Sequence, residues 1–430
     1  MSETPEPSTE GSVRVPVGRL LALTPVALAV GAVCALGLWG ISALAEFLQR
    51  LIWDDLASTV GATADTWWWT LTILTATGLL VGLVIRYAPG HAGEDPATVE
   101  LVSRPLPPSA VPGLTVATVL TLAGGVSLGP ENPIMAINAA LIVAIGVRVL
   151  PALGGERWLG LSTAATIGAL FGTPVAAALM LSEVNAGDSR IPLWNRLYLP
   201  LVAAATGSFV MLRFTDLSLS IGLPDDSFDG LRDVLVAIGV AVVAAALGVV
   251  AAFVFDPLHR LMHRIANPVL LLTLAGLALG ALGALGGEIT LFKGLDQAKE
   301  LPGELGSTTA LGFFVMAGIK LLALLIAAAA GFRGGRIFPA VFIGVALGFG
   351  IHTIWTSIPL VDAVAAATVG IVVAATRNGW VSLFIALAVV PQWNLVVPVL
   401  FATLAAWLVV ANAPELRART DEERARSAAG

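Results

Sequence analysis

Gly124-Gly125-Val126-Ser127-Leu128-Gly129-Pro130-Glu131-Asn132-Pro133 is the stretch that decides how this chain is read. A glycine-rich stop is followed at once by a helix start, and an acid stands at that start. Asn132 is a good N-cap. Pro133 is a good first helical residue, because proline has no N–H to lose there and its φ is preset. The first N–H groups of a helix have no intrahelical acceptor and carry partial positive charge. Such an end attracts an anion without a full positive charge. Glu131 sits on it, in surroundings apolar enough that an ionisable side chain calls for a function. Ionised, its carboxylate would occupy the anion site; protonated, it would vacate it. One acid would then be both gate and proton acceptor. The plainer alternative is a carboxylate that only stabilises the helix start.

The device recurs. Gly335-Arg336-Ile337-Phe338-Pro339 repeats the form G-x-x-x-P, again after a long apolar run with a glycine-rich end and before a short apolar run. Downstream of the two pentapeptides, Ala164-Ala165-Thr166-Ile167-Gly168 returns as Ala366-Ala367-Thr368-Val369-Gly370. The intervals between partners are 206 and 202 residues, so the matches share a register. This reads as a duplication with halves of about 20–217 and 231–411. Two such helix ends meeting at a repeat interface would make an anion site, and inverted repeats are a common transporter plan.

Composition sets the class. Of 430 residues, 57% are hydrophobic and only 12% charged, with mean hydropathy +0.90. A soluble domain carries about 25% charged residues, so much of this exterior must face lipid. Long apolar runs (about 20–48, 67–85, 234–255 and 311–330) alternate with runs too short to cross a bilayer of about 30 Å comfortably (about 96–102, 134–147, 163–171, 174–181 and 340–349). Broken helices at membrane depth are tolerated where they are buried in protein or line a cavity. The expectation is an all-α integral membrane protein, multi-pass in the plasma (inner) membrane. Residues 1–17 form a polar tail without the basic start of a cleaved signal, 18–411 one membrane domain, and 412–430 a charged, helical, cytoplasmic tail. The single cysteine, Cys34, excludes a disulfide framework. The basic runs are too short for nucleic-acid binding.

At this point the pentapeptides resemble a family, the CLC chloride channels and proton/chloride antiporters, whose filter motifs are G-S-G-I-P, G-[KR]-E-G-P and G-x-F-x-P. Residues 129–133 look like the second motif, which places Glu131 on the family's gating glutamate. Residues 334–339 look like the third, which implies anion binding by the backbone of Arg336 and Ile337 beside Phe338. Ala92-Gly93-Glu94-Asp95-Pro96 stands where the first belongs, before a short helix capped by Asp95 and Pro96. The resemblance implies an anion-binding set of Gly129, Asn132, Gly335, Arg336, Ile337, Phe338 and Gly93, transport of chloride, nitrate or fluoride as a channel or a proton-coupled antiporter, a homodimer with one pore per subunit, and no cofactor. Departures matter too. Gly93 lacks the family's serine hydroxyl. Pro130 replaces a basic residue and removes an N–H, and Asn132 replaces glycine. Neither Tyr87 nor Tyr198 matches the inner tyrosine. Aligned on Pro174, Glu183 and Val184 fall on the family's glutamate pair. Val184 at the second position favours uncoupled conduction, while Glu183 is left as a possible proton relay.

Other groups have blander readings. Glu94 and Asp95 read as exposed helix caps. His259, Arg260, His263 and Arg264 read as a solvated helix face rather than a metal site. Arg333 and Arg336 either raise local anion concentration or cap a loop. Trp67-Trp68-Trp69 reads as an interfacial belt, and 225–229 as the linker between halves. The competing function is a secondary transporter of a cation or other solute with Glu94, Asp95 and Glu131 as ligands. A membrane enzyme is disfavoured, since the chain has four histidines and no H-E-x-x-H, G-x-S-x-G or P-loop motif.

Overall fold

The computed structural model describes residues 16–99, 105–183, 191–216, 218–225 and 230–419. They form helices joined by turns. In the first part these are α1 (Val17–Arg50), α2 (Ala57–Thr59), α3 (Trp67–Tyr87), α4 (Val111–Ala123), α5 (Glu131–Val149), α6 (Gly155–Phe171), α7 (Pro174–Glu183) and α8 (Leu193–Phe214). The second part holds α9 (Leu231–Met262), α10 (Pro268–Gly286), α11 (Leu295–Glu300), α12 (Ala310–Ala330), α13 (Ile337–Ile354), α14 (Leu360–Thr376), α15 (Gly379–Val389) and α16 (Val396–Val410). A π-turn at Leu51–Leu56 joins α1 to α2. Nine helical spans among the described residues are long and apolar enough to cross a bilayer.

The helices sort into an inner and an outer set. In the apolar window of α13, 72% of residues are buried inside the protein; in that of α1, 28% are. α14 is sheathed by α13, α9 and α16, while α1 and α8 pack on each other at the periphery. The outer set turns large apolar side chains outward, among them Phe47 of α1, Phe253 of α9 and Leu274 of α10. Such a surface suits hydrocarbon and not water. Small residues let the inner helices approach closely, as packing in lipid requires. A methyl added at Gly348 of α13 would run into the Val364 backbone of α14, and one at Gly78 of α3 into the Leu272 carbonyl of α10.

Several expectations change. The runs at 134–147 and 340–349 are interior parts of longer helices of 19 and 18 residues, because the turns before and after them are helical too. Helix α5 begins at Glu131 with Pro130 as its N-cap, so Asn132 lies inside the first turn and caps nothing. Among the described residues Asp95 heads a turn over 96–98, and its carboxylate accepts the Ala97 N–H at 2.9 Å; residues 100–102 of the expected short helix lie outside the described residues. The described end of the C-terminal tail is not helical. Instead it folds back: Leu416 and Ala418 are buried, the Ala418 N–H donates to Ala97 O at 2.8 Å, and Arg377 donates to the carbonyls of Ala413 and Pro414. Trp67 and Trp68 are exposed as a belt requires, but Trp69 is buried. The N-terminal stretch 1–15, Val184, linker residues 226–229 and tail residues 420–430 lie outside the described residues.

If the Gly348–Val364 approach fixes the inner pair, Gly348→Leu should overpack it at a cost on the order of 1–3 kcal/mol and lower the melting temperature in detergent. Gly239→Ala, with open space around the position, should melt like the parent or slightly higher.

Candidate functional site

Two glycines from motifs far apart in sequence meet at the centre. The Gly129 N–H donates to Gly335 O at 2.9 Å, and the Gly335 N–H donates to Gly129 O at 2.6 Å. This reciprocal pair is an isolated antiparallel bridge. Immediately beyond it α5 starts at Glu131 and α13 at Ile337. The bridge therefore sets two helix N-termini side by side. Neither helix is capped by a side chain of its own N-cap residue.

The cap of α13 comes from across the bridge. Glu131 is fully buried, and its Oε1 accepts the Phe338 N–H at 2.8 Å. The N–H groups of Glu131 itself and of Ile337 also act on this carboxyl. Its Oε2 is buried without a hydrogen bond of ordinary geometry. The carboxyl lies against Gly129 and Gly335, where a methyl on either would overlap it. Glycine is required at both positions to leave this space.

Of the remaining candidates, Phe338 and Ile337 are buried at the start of α13. The Phe338 ring is 6.3 Å from Phe171, which is 6.0 Å from Phe384. Arg336 is the N-cap residue of α13. Its guanidinium makes no ion pair within 4 Å among the described residues, yet it is close enough to Glu415, Asp95 and Glu131 to be attracted by each. Asn132 is half-buried in the first turn of α5. Gly93 is tied to the site through Arg333, whose guanidinium donates to the carbonyls of Gly93 (2.9 Å) and His91 (3.0 Å). Arg333 thus fastens a loop. Glu183 stands apart: it is exposed at the end of α7, with Oε1 3.4 Å from the Gly379 N–H.

The acids of the competing reading do not converge. Glu131 is sealed at the bridge, Glu94 is exposed, and Asp95 is engaged by His259 at 2.9 Å. This last contact corrects two expectations. His259 is buried rather than solvated, and Asp95 is more than an exposed cap.

Sequence reasoning passed over Lys320. Its ammonium, fully buried in α12, donates to the carbonyls of Thr290 (3.0 Å), Leu291 (2.6 Å) and Phe292 (2.8 Å) and lies 5.2 Å from the Phe342 ring centre. The segment it grips holds the first helix start in turn. The Phe292 N–H donates to Gly125 O (3.0 Å), and Ser127 Oγ donates to Thr290 O (3.1 Å). A lysine inside an apolar helix was itself the available signal.

The family model described as voltage gated chloride channel matches residues 74–411. The chain belongs to that family. It is 48% identical over 395 residues to "Putative ion-transport protein YfeO" of Escherichia fergusonii, a match covering 92% of this chain and 94% of the relative. The protein of the same name from Escherichia coli O9:H4 is 46% identical over 405 residues, covering 94% and 97%. Among solved structures, the fold matches a CLC-type fluoride/proton antiporter (TM-score 0.75, 18% identity, 95% of this chain and 100% of that one). It also matches a slow cyanobacterial Cl−/H+ antiporter (TM-score 0.74, 17% identity, 94% and 97%). The CLC resemblance drawn from the pentapeptides therefore extends over most of the chain. This is a multi-pass membrane protein of an anion-transporting family with the CLC fold, and not an enzyme.

Lys320→Met would strip one donor from three buried carbonyls, at about 1–3 kcal/mol for each left unsatisfied. It should lower the melting temperature sharply. Lys320→Arg should fail to restore it, because a planar fork does not fit three carbonyls arranged around an ammonium.

Proposed function

We propose that the chain moves small inorganic anions, chloride or its analogues nitrate and fluoride, across the plasma membrane, and that Glu131 is the gate. One observation carries this reading: the Glu131 carboxylate sits on the Phe338 N–H at the start of α13, where a permeating anion would bind. Helix N-termini hold anions through these backbone donors. A carboxylate and a halide need the same groups, so they compete.

Protonation decides the competition. As an anion, Glu131 holds the amides of Ile337 and Phe338. A neutral carboxyl is a weaker acceptor and gains nothing from the positive helix end. It leaves, and an anion takes its place. The glycines of the bridge give the carboxyl room, and Arg336 supplies a long-range attraction that draws anions inward. Asn132 and Gly93 complete the lining. Glu183 is the candidate second proton acceptor if transport is coupled. Its position at the end of α7, away from the bridge, suits a relay that is separate from the anion path.

The same reading treats residues 18–411 as one membrane domain of two related halves, 20–217 and 231–411, in inverted orientation. The succession α4–α7, with lengths 13, 19, 17 and 10, is answered by α12–α15 with 21, 18, 17 and 11. The reciprocal Gly129–Gly335 bridge joins corresponding points of the two. Two copies of the chain would form the working dimer, each with its own path.

In proteoliposomes, wild-type chloride efflux should increase as pH falls, by at most about tenfold per unit for a single titrating carboxyl. Glu131→Gln should conduct with that pH dependence removed. Recording proton movement in the same vesicles separates a channel from an antiporter. If Glu131→Gln leaves both flux and its pH profile unchanged, the gate is elsewhere.

A further inference from the structure

Away from the bridge, three potential ligands converge. Asp95 Oδ2 is 2.9 Å from His259 Nε2 and 3.5 Å from His263 Nε2, and the three atoms all lie within 4.8 Å of one another. The histidines are one turn apart at the end of α9, with rings stacked at 4.0 Å and 25°. We propose that Asp95, His259 and His263 form a binding site for a divalent transition-metal ion of the zinc class, open on the His263 side.

The hydrogen bonds around the cluster orient its ligands. His263 Nδ1 is 3.0 Å from the His259 carbonyl. A carbonyl only accepts, so Nδ1 carries a hydrogen, and Nε2, 3.5 Å from Asp95 Oδ2, is the nitrogen left to meet an ion. An imidazole whose far nitrogen donates to a backbone carbonyl is also the usual outer-shell pattern of a metal ligand. The carboxylate is oriented likewise, since Asp95 Oδ1 accepts the Ala97 N–H at 2.9 Å. His259 Nδ1 is buried with no hydrogen bond among the described residues, so the polar contact of that ring is the one its Nε2 makes.

Distance and chemistry fit the ion class. Around a tetrahedral zinc with bonds of about 2.0–2.1 Å, neighbouring ligand atoms stand about 3.3 Å apart. The two Asp95 spacings bracket that value. Two imidazoles and one carboxylate suit zinc-like ions over magnesium or calcium, which prefer all-oxygen sets. The His263 side chain is 39% exposed and His259 10%, so an ion can enter and a water can fill the fourth position. The site touches the anion machinery through Asp95, which feels the charge of Arg333, the residue that fastens Gly93.

The test uses full-length protein purified without a polyhistidine tag, since the chain has only four histidines. Calorimetric titration with Zn2+ should show one equivalent bound, on the order of micromolar, a value set by three ligands rather than four. His263→Ala, at an accessible position, and Asp95→Asn should each weaken binding at least tenfold. His91→Gln, at an exposed histidine outside the cluster, should leave it unchanged. Co2+ in place of Zn2+ should give the visible absorption of a tetrahedral centre, lost in His263→Ala; a purely structural His–Asp pair would give none. No saturable Zn2+ binding by the wild type, or equal binding by wild type and His263→Ala, would overturn the site. Binding is read without transport, so the metal site and the anion-path reading can fail independently of each other.

Discussion

The Gly129–Gly335 bridge is the constraint on which the site depends. Two hydrogen bonds between glycines 206 residues apart bring two helix starts together, and a single carboxylate then serves as cap for the helix it does not belong to. A helix end with unpaired donors is unfavourable in an apolar interior unless something accepts from it. Here the acceptor is a titratable side chain instead of a fixed one. The stability of the helix start and the occupancy of the candidate anion site are thereby the same interaction.

Everything around the bridge serves to hold its two loops. Trp53 Nε1 donates to Ala123 O at 3.0 Å at the end of α4 and packs edge-on against Phe292. Lys320 fixes the carbonyls of 290–292, which hold Gly125 and Ser127. Arg333 joins the loop before α13 to residues 91–93. The returning C-terminal segment brings Glu415 near Arg336. Lys320 and Arg333, charged groups buried in this apolar core, are thus engaged with loop carbonyls, as expected where charge is costly.

Much of this was legible in the sequence, for identifiable reasons. The low charge content set the membrane class, and helix lengths were readable wherever apolar runs were uninterrupted, as in α3 and α12. The pentapeptides marked both helix starts, because a glycine stop followed four residues later by a proline suits the first turn of a helix. What failed was local and depended on tertiary contacts. Asn132 has the chemistry of an N-cap, but the helix starts two residues earlier than that predicts, at Glu131, whose carboxyl is taken up by the Phe338 N–H. His259 and His263 read as a surface pair since nothing local to α9 reveals Asp95, 164 residues away. The C-terminal tail looked helical from its charge pattern, yet in its described part the Ala418 N–H donates to Ala97 O and the Arg377 guanidinium donates to the carbonyls of Ala413 and Pro414, folding it back on the core. Lys320 could have been singled out by its apolar neighbours, but its three carbonyl partners could not.

The central claim is that the Glu131 carboxylate and the transported anion occupy one place. Crystals of the Glu131→Gln protein grown in bromide and recorded at the bromine absorption edge test it directly. The account predicts an anomalous peak within hydrogen-bonding reach of the Phe338 N–H, with the substituted side chain at position 131 turned away from it. Bromide bound only elsewhere, with the amide of that side chain still seated on Phe338, would contradict it.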